Sequence, residues 1–106
     1  MTYVGEWLEG FKNGRGICIN DEGTTYNGQW KNDMKHGEGE EVWAKGDFYK
    51  GDYELGLKTG KGKFVWNDHS EYVGTFARSS IEGFGTYKWP DGRVYTGPWI
   101  NNMMHG

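Results

Sequence analysis

Tyr26-Asn27-Gly28-Gln29-Trp30 is the stretch that decides the fold of this 106-residue chain. Its tyrosine returns every 23 residues, and each tyrosine is followed two places later by glycine and four places later by an aromatic residue. The tyrosines are Tyr3, Tyr26, Tyr49, Tyr72 and Tyr95, and the aromatic partners are Trp7, Trp30, Tyr53, Phe76 and Trp99. Such a period is typical of repeat arrays. Each tyrosine therefore marks one structural unit of an array over residues 1–106, and the last unit is incomplete.

Two strands are predicted in each unit, because large or glycine residues alternate with polar ones in the first run and in a second run such as Gly62-Lys63-Phe64-Val65-Trp66. Between the two runs we expect a six- or seven-residue loop that ends in Gly-x-Gly. Tight turns join one unit to the next and need a left-handed residue at Gly23, Gly46 and Gly92, with His69 in the same place once. Helix is excluded, because glycine every few residues costs about 0.8–1.0 kcal/mol each in a helix interior.

The dimensions of the array follow from the strand count. Two strands per unit at about 4.8 Å spacing advance the array by roughly 10 Å per repeat, which gives a length of about 40–45 Å. The glycines of each unit have a steric explanation, because a Cβ there would strike the aromatic rings packed across the strand face. We therefore expect a rod or trough with each tyrosine and its following aromatic residue on one side.

The formal net charge of −3 bounds the partners. A nucleic-acid binder needs a basic field, so nucleic acid is not expected as a partner, and a general anionic-membrane binder is disfavoured for the same reason. The single cysteine, Cys18, forms no disulfide within the chain, and no apolar run approaches the length of a transmembrane or signal segment. We expect a soluble cytoplasmic protein, with a cytoskeletal or membrane-peripheral position as the alternatives.

The unit Tyr-x-Gly-x-Trp, a spacer and Gly-x-Gly on a 23-residue period resembles the membrane occupation and recognition nexus (MORN) repeat. The resemblance covers the whole chain and implies an all-β fold, an open single-layer antiparallel sheet of stacked hairpins that acts as a scaffold. Relatives in this family include junctophilins, radial-spoke head proteins and modules attached to phosphatidylinositol phosphate kinases. The pattern stops in mid-motif at Gly106, which predicts that the chain is a piece of a longer protein.

No catalytic constellation is found, and no cofactor or small-molecule substrate is predicted. His36 and His105 share a register three units apart, about 30 Å, so one metal ion cannot bind both; a metal that bridges two chains is the alternative. Cys18 is either a nucleophile or a small packed side chain, and we favour packing because no histidine shares its register. Glu41 faces the aromatic side, where it either anchors a basic group of a partner or lies solvated at an edge.

An aromatic face is the first candidate surface, since a single layer cannot bury all its rings. We expect the contact residues to be Trp43, Trp66, Trp89, Tyr87 and Glu41. Asn20 interrupts the tryptophan row, which a purely structural row would not require. Loop residues Phe11, Met34, Leu57 and Met103 share one register and are expected to cover part of the face. The alternative is that the rings only pack on one another.

A lysine ladder is the second candidate surface. It comprises Lys12, Lys35 and Lys58, one in each predicted loop, supplemented by Arg15 and Lys61, and Ile81 interrupts it in the fourth unit. Charges about 10 Å apart along one edge would contact anionic phospholipid headgroups or an acidic partner. The structural alternative, lysine retained on exposed loops for solubility, is the one we favour.

Three function classes remain open. The first is a non-catalytic scaffold for protein–protein interaction or self-assembly, which binds a protein, a peptide or another copy of itself. The second is a phosphoinositide or membrane-attachment module, and the third is a targeting or regulatory appendage of an enzyme such as a phosphatidylinositol phosphate kinase. The aromatic surplus and the acidic charge favour the first class.

Overall fold

One open antiparallel sheet accounts for residues 1–104, the part of the chain that the computed structural model describes. Its ten strands are β1 (Thr2–Leu8), β2 (Phe11–Ile19), β3 (Thr25–Lys31), β4 (Met34–Val42), β5 (Phe48–Glu54), β6 (Leu57–Val65), β7 (Glu71–Ala77), β8 (Ser80–Lys88), β9 (Val94–Ile100) and β10 (Met103–Met104). Their order in the sheet is their order in the chain. The all-β prediction is confirmed, and the longest dimension is 48 Å. The expectations for His105 and Gly106 lie outside the described residues.

Two-residue turns, and not loops, join the strands within each unit. At the first turn Glu9 and Gly10 both have positive φ, of 52° and 86°, which is the geometry of the tight hairpin turns that match strand twist. The equivalent pairs are Asn32-Asp33, Leu55-Gly56, Arg78-Ser79 and Asn101-Asn102. The predicted six- or seven-residue loop is therefore wrong, because strands β2, β4, β6 and β8 continue up to the turn.

A β-bulge explains the Gly-x-Gly motif. Gly5 pairs with Gly16 and Trp7 pairs with Lys12, so the one residue between them on β1 faces three on β2. Gly14, the first glycine of the motif, has a φ of 89°, which glycine adopts without strain. The same register shift recurs in the next three units. In these four units the second strand of the hairpin is therefore expected to bend at the bulge.

Five-residue connections join one unit to the next. In the first of them the Gly23 amide donates to the Asn20 carbonyl at 3.1 Å, and Gly23 has a φ of 87°. Gly46 and Gly92 repeat this arrangement, and His69 takes the same place with a φ of 75°. The left-handed turn position that the sequence predicts is confirmed in all four connections of the described residues.

Tyrosine rings lie flat against a row of glycines that crosses the sheet. Tyr49 is fully buried, and its hydroxyl donates to the Asp52 carbonyl at 3.0 Å, which holds the ring over Gly51 and Gly62. A Cβ added to Gly62 would lie 2.6 Å from that hydroxyl, and one added to Gly51 would lie 2.6 Å from the Gly62 Cα. The steric prediction holds, but the ring over the first glycine belongs to the same strand as that glycine.

An aromatic spine runs along the sheet above these glycines. We define it as Trp7, Tyr3, Trp30, Tyr26, Tyr53, Tyr49, Phe76, Tyr72, Trp99 and Tyr95, in spatial order. Every successive pair meets edge to face, with ring centroids 4.9 to 5.7 Å apart. Edge-to-face contacts of this kind add about 0.5–1.5 kcal/mol each beyond the area that they bury. The spine is the core of the molecule.

Candidate functional site

The two faces of the sheet differ in chemistry. The tyrosine face holds the aromatic spine, and the opposite face, which we call the groove face, holds the residues that alternate with it. Directly paired residues of antiparallel strands share a face. Lys12 pairs with Trp7 and therefore lies on the tyrosine face, while Arg15 pairs with Gln29 and Lys61 pairs with Thr75 on the groove face.

The lysine ladder is not an exposed edge. The Lys12 ammonium lies 5.5 Å from the centres of the Tyr3 and Trp30 rings, and Lys35 lies over Tyr26 in the same way. Burial lowers the pKa of Lys58, although Glu41 opposes the shift. The expectation that these lysines form one row with Arg15 and Lys61 on exposed loops is wrong, because the bulge places the two sets on opposite faces.

Glu41 has its partners within the chain. Its side chain is only 8% exposed, the Tyr53 hydroxyl donates to it at 2.7 Å, and the Lys35 ammonium forms an ion pair with it at 3.3 Å. The burial excludes a solvated edge carboxylate, and a role as a partner anchor stays a prediction. The carboxylate joins a lysine to the aromatic spine.

A second aromatic row lies beside the connections between units. It consists of Trp43, Phe64, Trp66, Tyr87 and Trp89, all half-buried, with successive ring centroids 4.6 to 5.6 Å apart. The side chain of Asn20, at the place of the missing tryptophan, accepts hydrogen bonds from the Glu22 and Thr24 amides. The interruption thus has a structural reason. The binding role of the row stays a prediction.

Phe11, Met34 and Leu57 do not cover the aromatic rings. Each lies on the groove-face side of its strand, opposite a partner such as Leu8 for Phe11. All three are exposed, as is Met103. The expectation that this register shields the tyrosine face is wrong, because the strands continue through the region that the sequence suggested was loop.

An open groove of about 740 Å³ lies on the groove face and spans strands β2 to β8. Its floor is the backbone of Gly39, Gly51, Gly62 and Gly74, the row that the tyrosines cover from the other side. Its charged lining residues are Arg15, Glu38, Glu40, Lys50, Asp52, Lys61 and Lys63, and its apolar ones are Val73 and Phe84. Aromatic rings thus cover the tyrosine face of the sheet, while the groove face is open to solvent.

Like charges face each other across neighbouring strands at two places in the groove. Glu38 on β4 is directly opposite Asp52 on β5, and Lys50 on β5 is directly opposite Lys63 on β6. Like charges that face each other across two strands are destabilising. Lys50 also forms an ion pair with Glu40 at 3.5 Å, and Lys63 forms one with Glu71 at 3.3 Å. The groove therefore contains an acidic pair next to a basic pair.

The apolar part of the groove lies beyond the basic pair. Val73 on β7 is 52% exposed, and Phe84 on β8 is 62% exposed. Phe84 is the middle residue of its Gly-x-Gly motif, where the other units have Arg15, Glu38 and Lys61. Along this row of middle residues, from Phe84 on β8 through Lys61 on β6 to Glu38 on β4, the groove is apolar, then basic, then acidic.

Most groove residues were missed from the sequence, where only Arg15 and Lys61 were singled out. The others occupy alternate strand positions, which are polar on an ordinary exposed face and attract no notice. The pattern that identifies one row of them is that the residue after each tyrosine pairs with the residue directly after the following Gly-x-Gly motif, as Lys50 does with Lys63. When the units are aligned on their glycines, these paired residues form neighbouring rows.

Within residues 1–104, no group of three or more His, Cys, Asp and Glu side chains is close enough to hold a metal ion. Cys18 is buried between Tyr3 and Tyr26, with which it pairs across the strands. In the same part of the chain no helix is long and apolar enough to cross a membrane.

Comparison with known proteins identifies the repeats. The family model described as the MORN repeat matches residues 3–25, 26–48, 49–71, 72–92 and 95–106. A search of curated protein sequences finds no match.

Proposed function

Because this chain belongs to the MORN-repeat family, we propose that it is a non-catalytic scaffold that holds an extended segment of a partner protein in the groove. MORN repeats are generally modules for interaction with proteins or membrane lipids. The observation that supports the proposal is the 740 Å³ groove over a glycine floor, on the one face whose side chains do not pack into the aromatic spine.

The shape of the groove favours an extended ligand. It crosses the strands, and the four strand spacings from β4 to β8 measure about 19 Å at 4.8 Å each. An extended chain covers that distance with about six residues. A segment of another protein, or of a second copy of this chain, fits such a site better than a compact small molecule would.

A cytoplasmic location, free or attached to the cytoskeleton, is part of the same proposal. The single cysteine, Cys18, which forms no disulfide within the chain, supports it. We do not assign an enzyme activity to the chain.

Attachment to anionic phospholipid, alone or as the appendage of an enzyme, is the alternative. The lysine ladder gives this alternative little support, because the ammonium groups of Lys12, Lys35 and Lys58 lie over aromatic rings of the tyrosine face. A net charge of −3 also opposes approach to an anionic surface.

Selection from a displayed library of random decapeptides tests the proposal. Clones captured by the chain should lose binding to Phe84→Ala and to Lys61→Glu, because both substitutions alter the groove. They should keep binding to Lys45→Glu, which makes the same charge change in an exposed turn outside the groove.

Two further variants separate the competing surfaces. Clones that still bind both groove variants but do not bind Trp66→Ala would show that the binding site is the second aromatic row, which would contradict the proposal. Salt-sensitive binding to phosphoinositide vesicles that is abolished when Lys12, Lys35 and Lys58 are reversed together would favour the lipid alternative.

A further inference from the structure

The order of chemistry along the groove specifies the partner more closely. Resting on the proposed function, we infer that the groove accepts an extended segment with an apolar residue, then an acidic residue, then a basic residue, about three positions apart. The apolar residue would lie against Phe84, the acidic one against Lys61 and Lys63, and the basic one against Glu38 and Asp52.

The basic part of the site lies on strands β5 and β6. Lys50 and Lys63 are directly opposite each other, and Lys61 lies on the same face of β6 two residues before Lys63. Ion pairs to Glu40 and Glu71 compensate Lys50 and Lys63, whereas no carboxylate of the described residues forms an ion pair with Lys61. Three ammonium groups with two carboxylates leave a positive excess, which an acidic side chain of a partner would neutralise.

The acidic part has the same logic with the opposite sign. Glu38 and Asp52 are directly opposite each other, a pairing that costs stability in the free protein. Both line the groove, and no ion pair of the described residues involves either of them. A lysine or arginine from the partner would lie between the two carboxylates and relieve their repulsion.

Phe84 supplies the third element. A phenylalanine that is 62% exposed at the end of a polar groove, beside the exposed Val73, is apolar surface that a partner would cover. Phe84 replaces the charged residues found at the same place in the first three units. The array is therefore asymmetric, and this asymmetry distinguishes one end of a bound segment from the other.

Strand spacing sets the distances between the three contacts. Phe84 on β8 and Lys61 on β6 are two strand spacings apart, as are Lys61 and Glu38 on β4. Two spacings are about 10 Å, which an extended chain covers with about three residues. The three contacts thus fit within one segment of about seven residues.

Two fluorescein-labelled decapeptides test the inference by fluorescence anisotropy. One contains leucine, glutamate and lysine in that order at intervals of three, with alanine, serine and glycine between them, and the other has the glutamate and lysine exchanged. We expect the first peptide to bind at least about tenfold more tightly at low salt, and added salt to reduce the difference.

Protein variants with reversed charges provide a more specific test of the charge order. Lys61→Glu combined with Lys63→Glu should abolish the preference between the two peptides, because both charge contacts of the groove are then acidic, while Lys31→Glu combined with Lys45→Glu should leave it unchanged. Both double variants change net charge equally, so the comparison isolates position. Circular dichroism and the melting temperature verify that each variant is folded.

Each outcome decides between the two proposals. Equal binding of the two peptides, or binding of neither while groove-dependent library clones exist, overturns the charge order and leaves the proposed function intact. A library without any clone that depends on Phe84 or Lys61 overturns the proposed function and the inference together.

Discussion

Gly51 lies where a tyrosine ring and the backbone of the next strand leave no room for a side chain. A Cβ there would be 2.6 Å from both the Gly62 Cα and the Tyr49 hydroxyl. We expect Gly51→Val to lower the free energy of unfolding by about 3 kcal/mol or more, because the backbone on one side cannot move away as a side chain could. Urea denaturation followed by circular dichroism measures the change.

Lys50→Val is the matched control for that substitution. It introduces the same branched residue next door, on the open face, and removes only an exposed ion pair to Glu40, which contributes about 1 kcal/mol at most. Similar losses of stability in the two variants would show that the glycine row is not held by steric contact.

Glu41 and Glu40 are adjacent carboxylates in opposite settings. Glu41→Ala leaves the buried Tyr53 hydroxyl without its acceptor and Lys35 without its ion pair, so we expect a loss of about 1–3 kcal/mol. Glu40→Ala removes an exposed ion pair and should cost less than about 1 kcal/mol. The prediction fails if thermal melting shows Glu40→Ala to be the more harmful change.

The hairpin is the element in which the sequence-based prediction succeeded least. The period of the tyrosines and the alternation around them predict the strands, their order and the left-handed place of His69. The same rules did not locate the turns, because Asn32-Asp33 and Arg78-Ser79 contain no glycine and the bulge takes up two residues that then resemble a loop. The turns were therefore missed because of the residues at the turns themselves. The groove could not be predicted from one unit, because it depends on how the strands of several units bend and pair.

Leu55 is the least suitable turn residue in the array. It has a φ of 52°, a conformation that costs a branched apolar residue about 1–2 kcal/mol, whereas Asn32 and Asn101 occupy the same place in other units. We expect Leu55→Asn to raise the free energy of unfolding by about 1 kcal/mol. Leu57→Asn, the same change two residues later within β6, should not raise it, and a gain in both would contradict the explanation.

Across the whole molecule, buried tyrosines couple stability to alkaline pH. Burial raises the pKa values of Tyr3, Tyr26, Tyr49, Tyr53 and Tyr72 above their ordinary value of 10.0. The folded state therefore holds these protons more tightly than the unfolded state does. Their contribution is complete below about pH 10 and is lost as the pH rises beyond it.

Lys58, on the tyrosine face, has the opposite effect on the pH dependence of stability. Burial lowers the pKa of Lys58 below 10.5, so its contribution grows as the pH rises toward that value, but one lysine opposes five tyrosines. We expect the urea midpoint to fall steeply between about pH 10 and about pH 12, together with the appearance of tyrosinate absorbance. A constant midpoint over that range would contradict the shifts.

Within residues 1–104 each strand pairs only with the strands next to it in sequence, and this pairing determines how the array responds to force. Tension applied to its two ends acts along the hydrogen bonds, so the strands should peel apart one hairpin at a time instead of shearing together. A single-molecule force trace should show repeated low-force steps, each releasing about 80 Å of chain for 23 residues at about 3.5 Å per residue. Such a molecule would be a compliant tether that lengthens in increments and rezips when the load is removed.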